Sequence, residues 1–208
     1  MFREFRGARL VPLRGYATEC RVQGTGSVRS MKQRWTLALM GAWLMGTIAV
    51  ATVAAENFYT VDRLLAARSN PAFAQLVDRL GAAEARELLR YLSSELNRLY
   101  FQIWDYTQIA IGVAVVLLLR NTAPVRARYG AAAMLAIAGV LHLITPMIVR
   151  VGRGLDFVPR DPQPPAMQLF WILHGGYTTL SLIQLAVGAA VTVAIARAVR
   201  QNAIVTSL

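Results

Sequence analysis

Apolar positions in this chain gather into four long runs, and the polar stretches between them follow a different rhythm. Residues 35–55 form the first run, without a single charge. Residues 98–119 open on a polar, aromatic half (Arg98, Tyr100, Gln102, Trp104, Asp105, Tyr106, Gln108) and end in an unbroken apolar half, 109–119. Residues 130–149 are rich in Ala and Gly, and residues 167–196 end before Arg197 and Arg200. About 20 apolar residues at about 1.5 Å each cross a ~30 Å hydrocarbon core, and each run meets that length. The pattern therefore predicts an all-α, polytopic membrane protein with four transmembrane helices.

The intervening segments complete the architecture. In 56–97 the apolar residues Leu76, Leu80, Ala83, Leu88, Leu92 and Leu96 recur at helical spacing among charges of both signs. Asn70-Pro71 is a turn and helix-start signal, and Gly81 interrupts the period. Two surface helices are expected there, the second running without a break into the 98–119 crossing. Residues 120–129 make a short basic turn. Residues 150–166 form a loop whose Pro159, Pro162, Pro164 and Pro165 favour extended backbone. The organisation expected is a polar leader (1–34), disordered or weakly amphipathic, a transmembrane domain (35–200), and a tail (201–208). Two alternatives attach to the start. Translation begins at Met1 or at Met31, where Lys32 and Arg34 directly precede the first run. That run is an uncleaved helix or, since Val53 and Ala55 stand before Glu56, a signal sequence.

Composition agrees with this picture. Of 208 residues 56% are hydrophobic and 16% charged, against about 25% charged in a typical soluble domain. The net charge of +11 raises nucleic acid as a partner, but the basic residues cluster in the leader and in short connections, with no basic stripe interleaved with aromatics. They read as a topology signal instead. The leader, the 120–129 turn (Arg120, Arg126, Arg128) and the tail are basic, whereas in 56–97 the two signs nearly cancel. Both termini are therefore expected in the cytoplasm of a bacterial inner membrane, with 56–97 and the Pro-rich loop outside. The three arginines of 150–166, set against Asp156 and Asp161, pull mildly the other way. The single cysteine, Cys20, rules out an internal disulfide and a cysteine-based metal cluster.

Ionisable groups within lipid are expensive, so Asp105, His142 and His174 each need a reason. Counted from the outer ends of their crossings, all three sit roughly 10–12 Å below one surface. Polar stripes accompany them at helical spacing: Arg98, Gln102, Asp105, Gln108 and Gly112 on the second crossing, Leu135, Ala138, His142 and Thr145 on the third, and His174, Thr178, Ser181, Gly188 and Thr192 on the fourth. The simplest packing turns all three inward, with Glu56 and Asn57 closing a polar pocket that includes Tyr177. Such groups serve as interhelical glue, each hydrogen bond contributing about 0.6 kcal/mol. Alternatively they form a site. His142 and His174 could clamp a haem b iron, or with Asp105 hold copper or zinc. A third alternative is a proton or transport pathway. No nucleophile elbow, phosphate-cradling loop or His-Glu-x-x-His is visible.

A first helix running into Glu56-Asn57-Phe58, a helical outer segment, and a last helix opening Phe170-Trp171-Ile172-Leu173-His174-Gly175, with Gln184-Leu185 further on, resemble a known group. It is the bacterial membrane domain of unknown function (number 4149) related to eukaryotic transmembrane protein 205. The resemblance spans about residues 35–196. It implies four helices, a link to copper-resistance-type membrane proteins or metal-drug tolerance, and His174 and Gly175 as the positions to carry over. The Pro-rich loop and the basic leader depart from that pattern.

Together these features lead to a non-enzymatic membrane protein of accessory or assembly type, bound to the bilayer and to a protein partner or a second copy of itself. A haem- or copper-binding protein and a small oligomeric transporter are the alternatives.

Overall fold

The computed structural model describes the backbone of residues 14–206 and the side chains of residues 31–201. Five helices follow one another: α1 (Arg14–Ala67), α2 (Pro71–Leu80), α3 (Ala82–Leu119), α4 (Val125–Arg153) and α5 (Ala166–Thr206). No strand occurs among the described residues. Helices α1, α3, α4 and α5 are long and apolar enough to cross a membrane. The multi-pass architecture read from the four apolar runs is thus present.

Local chemistry explains the breaks. The Asn70 side chain accepts from the Ala72 and Phe73 amides at 2.9 and 3.2 Å, and Pro71 occupies the first turn, so α2 starts there. Gly81 separates α2 from α3 at φ 93°, a left-handed conformation that a side chain would strain. Helix α3 then runs 38 residues without interruption, about 57 Å at the α-helical rise, so it protrudes well beyond a bilayer core. Helix α1 does the same. It begins inside the polar leader and continues to Ala67, past the end of its apolar run at 55. Where 56–97 suggests two surface helices, the structure has the extension of α1, the short α2 and the extension of α3. Residues 1–13 of the leader lie outside the described residues.

The four long helices form an antiparallel ring in which α1 packs on α3, α3 on α4, α4 on α5, and α5 back on α1. Buried positions on α4 (Ala127, Ala131, Met134, Ala138, Leu141, Thr145, Val149, Gly152) follow one another in steps of three or four, the seam of near-parallel helix packing. The ring has two unlike ends. At the proximal end, near residues 33, 122 and 195, Met40, Trp43, Val115, Leu119, Met134 and Ile195 close a continuous core. The Gln33 side chain staples that end by donating to the Thr122 carbonyl at 3.0 Å. The distal end, near residues 57, 97, 152 and 167, holds the open space described next.

Candidate functional site

Two cavities occupy the distal half. The inner one, the chamber, has a volume of about 590 Å³ and is walled by all four long helices, within the range of small-molecule sites. Thr47, Ala51 and Ala54 come from α1, Phe101, Trp104 and Gln108 from α3, Thr145 and Ile148 from α4, and Tyr177, Ser181 and Leu185 from α5. From Asn97 to Gln108 on α3 it reaches roughly 16 Å into the bundle. The outer one, the vestibule, is larger, about 1270 Å³, and lies among α2, the extensions of α1 and α3, and the 154–165 loop. Phe58, Ser94, Arg98, Gly152, Phe170 and His174 line both cavities. The two cavities therefore adjoin at a collar formed by these six residues.

The collar is held by charge. Arg98, its side chain 11% exposed, reaches Asp156 of the loop with both terminal nitrogens at 2.8 Å and Glu95 with one at 2.6 Å. The paired geometry matches guanidinium to carboxylate and pins the loop to α3. Glu95 also accepts from Arg153 at 3.1 and 3.2 Å. Glu95 sits above the 98–119 crossing. The hydrogen bond from Arg153, joined by that from Arg98 and outweighing burial, holds its carboxyl below the usual carboxylate range. It stays ionised and bridges the two arginines. Beside the clamp, the Asn97 side chain donates to the Ala54 carbonyl at 2.9 Å and accepts from Asn57 at 2.6 Å, locking α1 to α3.

A hydrogen-bonded knot lies deeper. Tyr177 donates to Asp105 Oδ1 at 3.2 Å, Gln108 donates to the same oxygen at 3.1 Å, and the Trp43 indole donates to Gln108 Oε1 at 3.4 Å. One chain of bonds thereby links α5, α3 and α1. Asp105 is fully buried, and its Oδ2 finds no partner among the described residues. Gln184, on the chamber wall, donates to the Met134 carbonyl at 3.0 Å, while its Oε1 is likewise unpartnered.

The residues singled out by sequence therefore separate into groups. Arg98, Gln108, Tyr177, Thr178 and His174 share the chamber wall or collar. Asp105 is inward but sits behind the wall. Gln102 is exposed. Glu56 is exposed and pairs with Arg63 of its own helix at 2.6 Å. Asn57, one residue and about 100° further round the helix, faces α3 in its place. His142 packs edge-on against Tyr106 at 4.9 Å, a ring 66% exposed on the outer surface of α3. His174 instead stacks on Phe170 at 5.7 Å. The two imidazoles share no cavity, so the structure does not assemble the axial pair that haem b requires. Among the described residues no three His, Cys, Asp or Glu side chains converge as a metal-binding group, and His142, His174 and Asp105 do not fit copper or zinc. On α5 the buried stripe is Tyr177, Gln184, Gly188, Val191 and Ile195, about one residue out of phase with the stripe through His174 and Thr178. Asn97, Glu95, Asp156 and Gln184 belong to the site without having been singled out for it. Gln184, a lone amide in an apolar run, is the one whose position was a signal.

No family model, curated protein or solved structure matches the chain.

Proposed function

We propose that this is a non-enzymatic accessory protein of the membrane that takes up a hydrophobic, chain-like molecule in the distal half of its bundle. The observation that carries this reading is the chamber of about 590 Å³ walled by all four long helices, with the vestibule adjoining it at the collar. An apolar wall with a few polar groups is the composition of a small-molecule site. The free Gln184 oxygen supports occupancy, because a buried acceptor without a donor costs about 1–3 kcal/mol, and a ligand hydroxyl or amide would relieve that cost. Lys32, Arg34, Arg120, Arg126, Arg128, Arg197 and Arg200 stand at the proximal end with no described carboxylate beside them, whereas the nine arginines of the distal end are matched by a similar number of carboxylates. That asymmetry supports a bacterial inner membrane orientation with both termini cytoplasmic and the vestibule outside. The Leu173-His174-Gly175 opening of α5 supports kinship with the domain-of-unknown-function group, and it puts the carried-over His174 in the collar.

The test is saturable binding of a neutral fluorescent alkyl probe to the purified protein in detergent. One site per chain is expected in the native protein, with loss of binding in Ser181→Trp, whose indole fills the chamber. Binding that is unsaturable, or unchanged in a folded Ser181→Trp protein, would refute the reading.

A second reading rests on a separate observation. Leu76, Leu80, Leu88 and Leu92 of the distal helices are each about half exposed (48, 54, 53 and 54%). That supports docking of a protein partner on the α2–α3 hairpin. Crosslinking that captures one defined neighbour in native protein, lost on Leu88→Glu, would favour it.

A further inference from the structure

The vestibule is not electrically neutral, and one of its charges stands out. Five arginines line it (Arg68, Arg86, Arg90, Arg98 and Arg160), together with the carboxylates Asp62, Glu87 and Asp156. Four of the arginines are already paired. Arg68 meets Asp78 at 2.6 Å, Arg86 and Arg90 meet Asp62 at 3.5 and 3.2 Å, and Arg98 meets Asp156 and Glu95. Arg160 makes no ion pair with any described carboxylate. Its guanidinium donates only to uncharged acceptors, the Met167 sulfur at 3.4 Å and the Leu155 carbonyl at 3.5 Å.

Both of those partners are buried, while Arg160 itself is exposed to the vestibule. Met167 is one helical turn before Phe170 and two before His174, which places the Arg160 head at the vestibule side of the collar. Glu87, the lining carboxylate without a partner, stands eleven residues from Arg98 on α3, roughly 16 Å further out. The vestibule side of the collar thus carries an exposed planar cation that no described carboxylate pairs with. A guanidinium presents several N–H donors in one plane and suits carboxylate and phosphate oxygens.

We infer that the molecule taken up is an anionic amphiphile. Its oxyanion head, carboxylate or phosphate, pairs with Arg160 in the vestibule, and its hydrocarbon chain threads the collar into the chamber. This rests on the chamber reading above and adds the head group and its direction: charge outward, chain inward.

The test compares three single-chain ligands of equal chain length on the purified full-length protein: a fatty acid, an alkyl phosphate and a fatty alcohol. The acid and the phosphate are expected to bind about tenfold more tightly than the alcohol, the scale of one charge-assisted hydrogen bond. Raised ionic strength should narrow the gap. Arg160→Gln is expected to bring both anions down to the alcohol's affinity, and Arg160→Lys to restore part of the difference. Arg79→Gln, outside the vestibule lining, should keep the preference. Inorganic phosphate alone should compete only weakly, since it lacks the chain; strong competition would mean an anion site independent of the chamber and would overturn the proposal. Equal binding of acid and alcohol to the native protein would overturn the head-group inference and leave the chamber standing, as would a preference that survives Arg160→Gln. Saturable binding of none of the three would remove both.

Discussion

The proximal and distal halves of this bundle use the same four helices and nearly the same alphabet, yet one is closed and the other hollow. Small residues show the difference. In the proximal half a side chain added at Gly130 would meet Val191 Cγ2 at 2.4 Å, and at Gly188 it would meet Leu44 and Met134 at 2.6 and 2.8 Å. There glycine lets neighbouring helices approach. In the distal half a side chain added at Gly152, on the wall of both cavities, would meet Arg98 and Phe170 only at the ordinary contact distances of 3.4 and 3.5 Å. The distal helices are joined at the rim by the ionic clamp at Arg98 and the asparagine pair at 57 and 97, contacts that do not fill the interior. A membrane bundle is therefore not uniformly packed. Where function needs room, polar contacts at the edge take over the role that apolar contact has elsewhere.

The largest effect expected from breaking this contrast is in the closed half. Met134→Ala should cost about 3 kcal/mol through loss of packing, read from unfolding in detergent, while Ile148→Ala on the chamber wall should cost under about 1 kcal/mol, because that side chain already borders open space. Arg98→Ala comes next, at about 2 kcal/mol, because it strands the carboxylate of Asp156, which is 16% exposed, and leaves Glu95 with Arg153 alone. Limited proteolysis should then cut the 154–165 loop. A smaller effect sharpens the glycine comparison: Gly130→Ala should destabilise by about 1 kcal/mol after the helix-propensity gain, and Gly152→Ala on the cavity wall should be neutral or slightly stabilising. Smallest is Tyr177→Phe, at about 0.6 kcal/mol for one interhelical hydrogen bond within lipid. A loss several times larger would show that the Asp105 knot, and not the rim, sets the distal geometry.

Much of the architecture could be read from the residues. Four apolar runs of sufficient length have few alternatives in a bilayer, and Asn70-Pro71 and Gly81 mark the breaks of the segment between the first two through ordinary cap and backbone chemistry. The continuity of α3 from its amphipathic start into the crossing was also legible. Helix rotation was harder. In water an amphipathic face points a helix inward, but a helix in lipid is apolar on both sides and that signal fades. Polar side chains near a boundary can then face the interface, as Gln102 and Glu56 do, or rest beside an aromatic, as His142 does. Equal depth brought His142, His174 and Asp105 to one level, but not to one side. The chamber itself left almost no trace in sequence, because empty space comes from distances between helices that no local pattern encodes. The stripes through Gln108, Tyr177 and Thr178 reached the wall, while Gln184, a lone amide in an apolar run, was a further signal that was not taken up.

The measurement that bears most directly on the open distal half is photo-crosslinking with a fatty acid carrying a diazirine in its chain, followed by mapping of the adducts by mass spectrometry. The account predicts adducts on chamber-wall residues such as Phe101, Ile148 and Leu185, suppressed by excess unlabelled fatty acid and absent in Ser181→Trp. Adducts confined to lipid-facing residues such as Leu143, Ile103 and Ile172, unaffected by competitor, would contradict it.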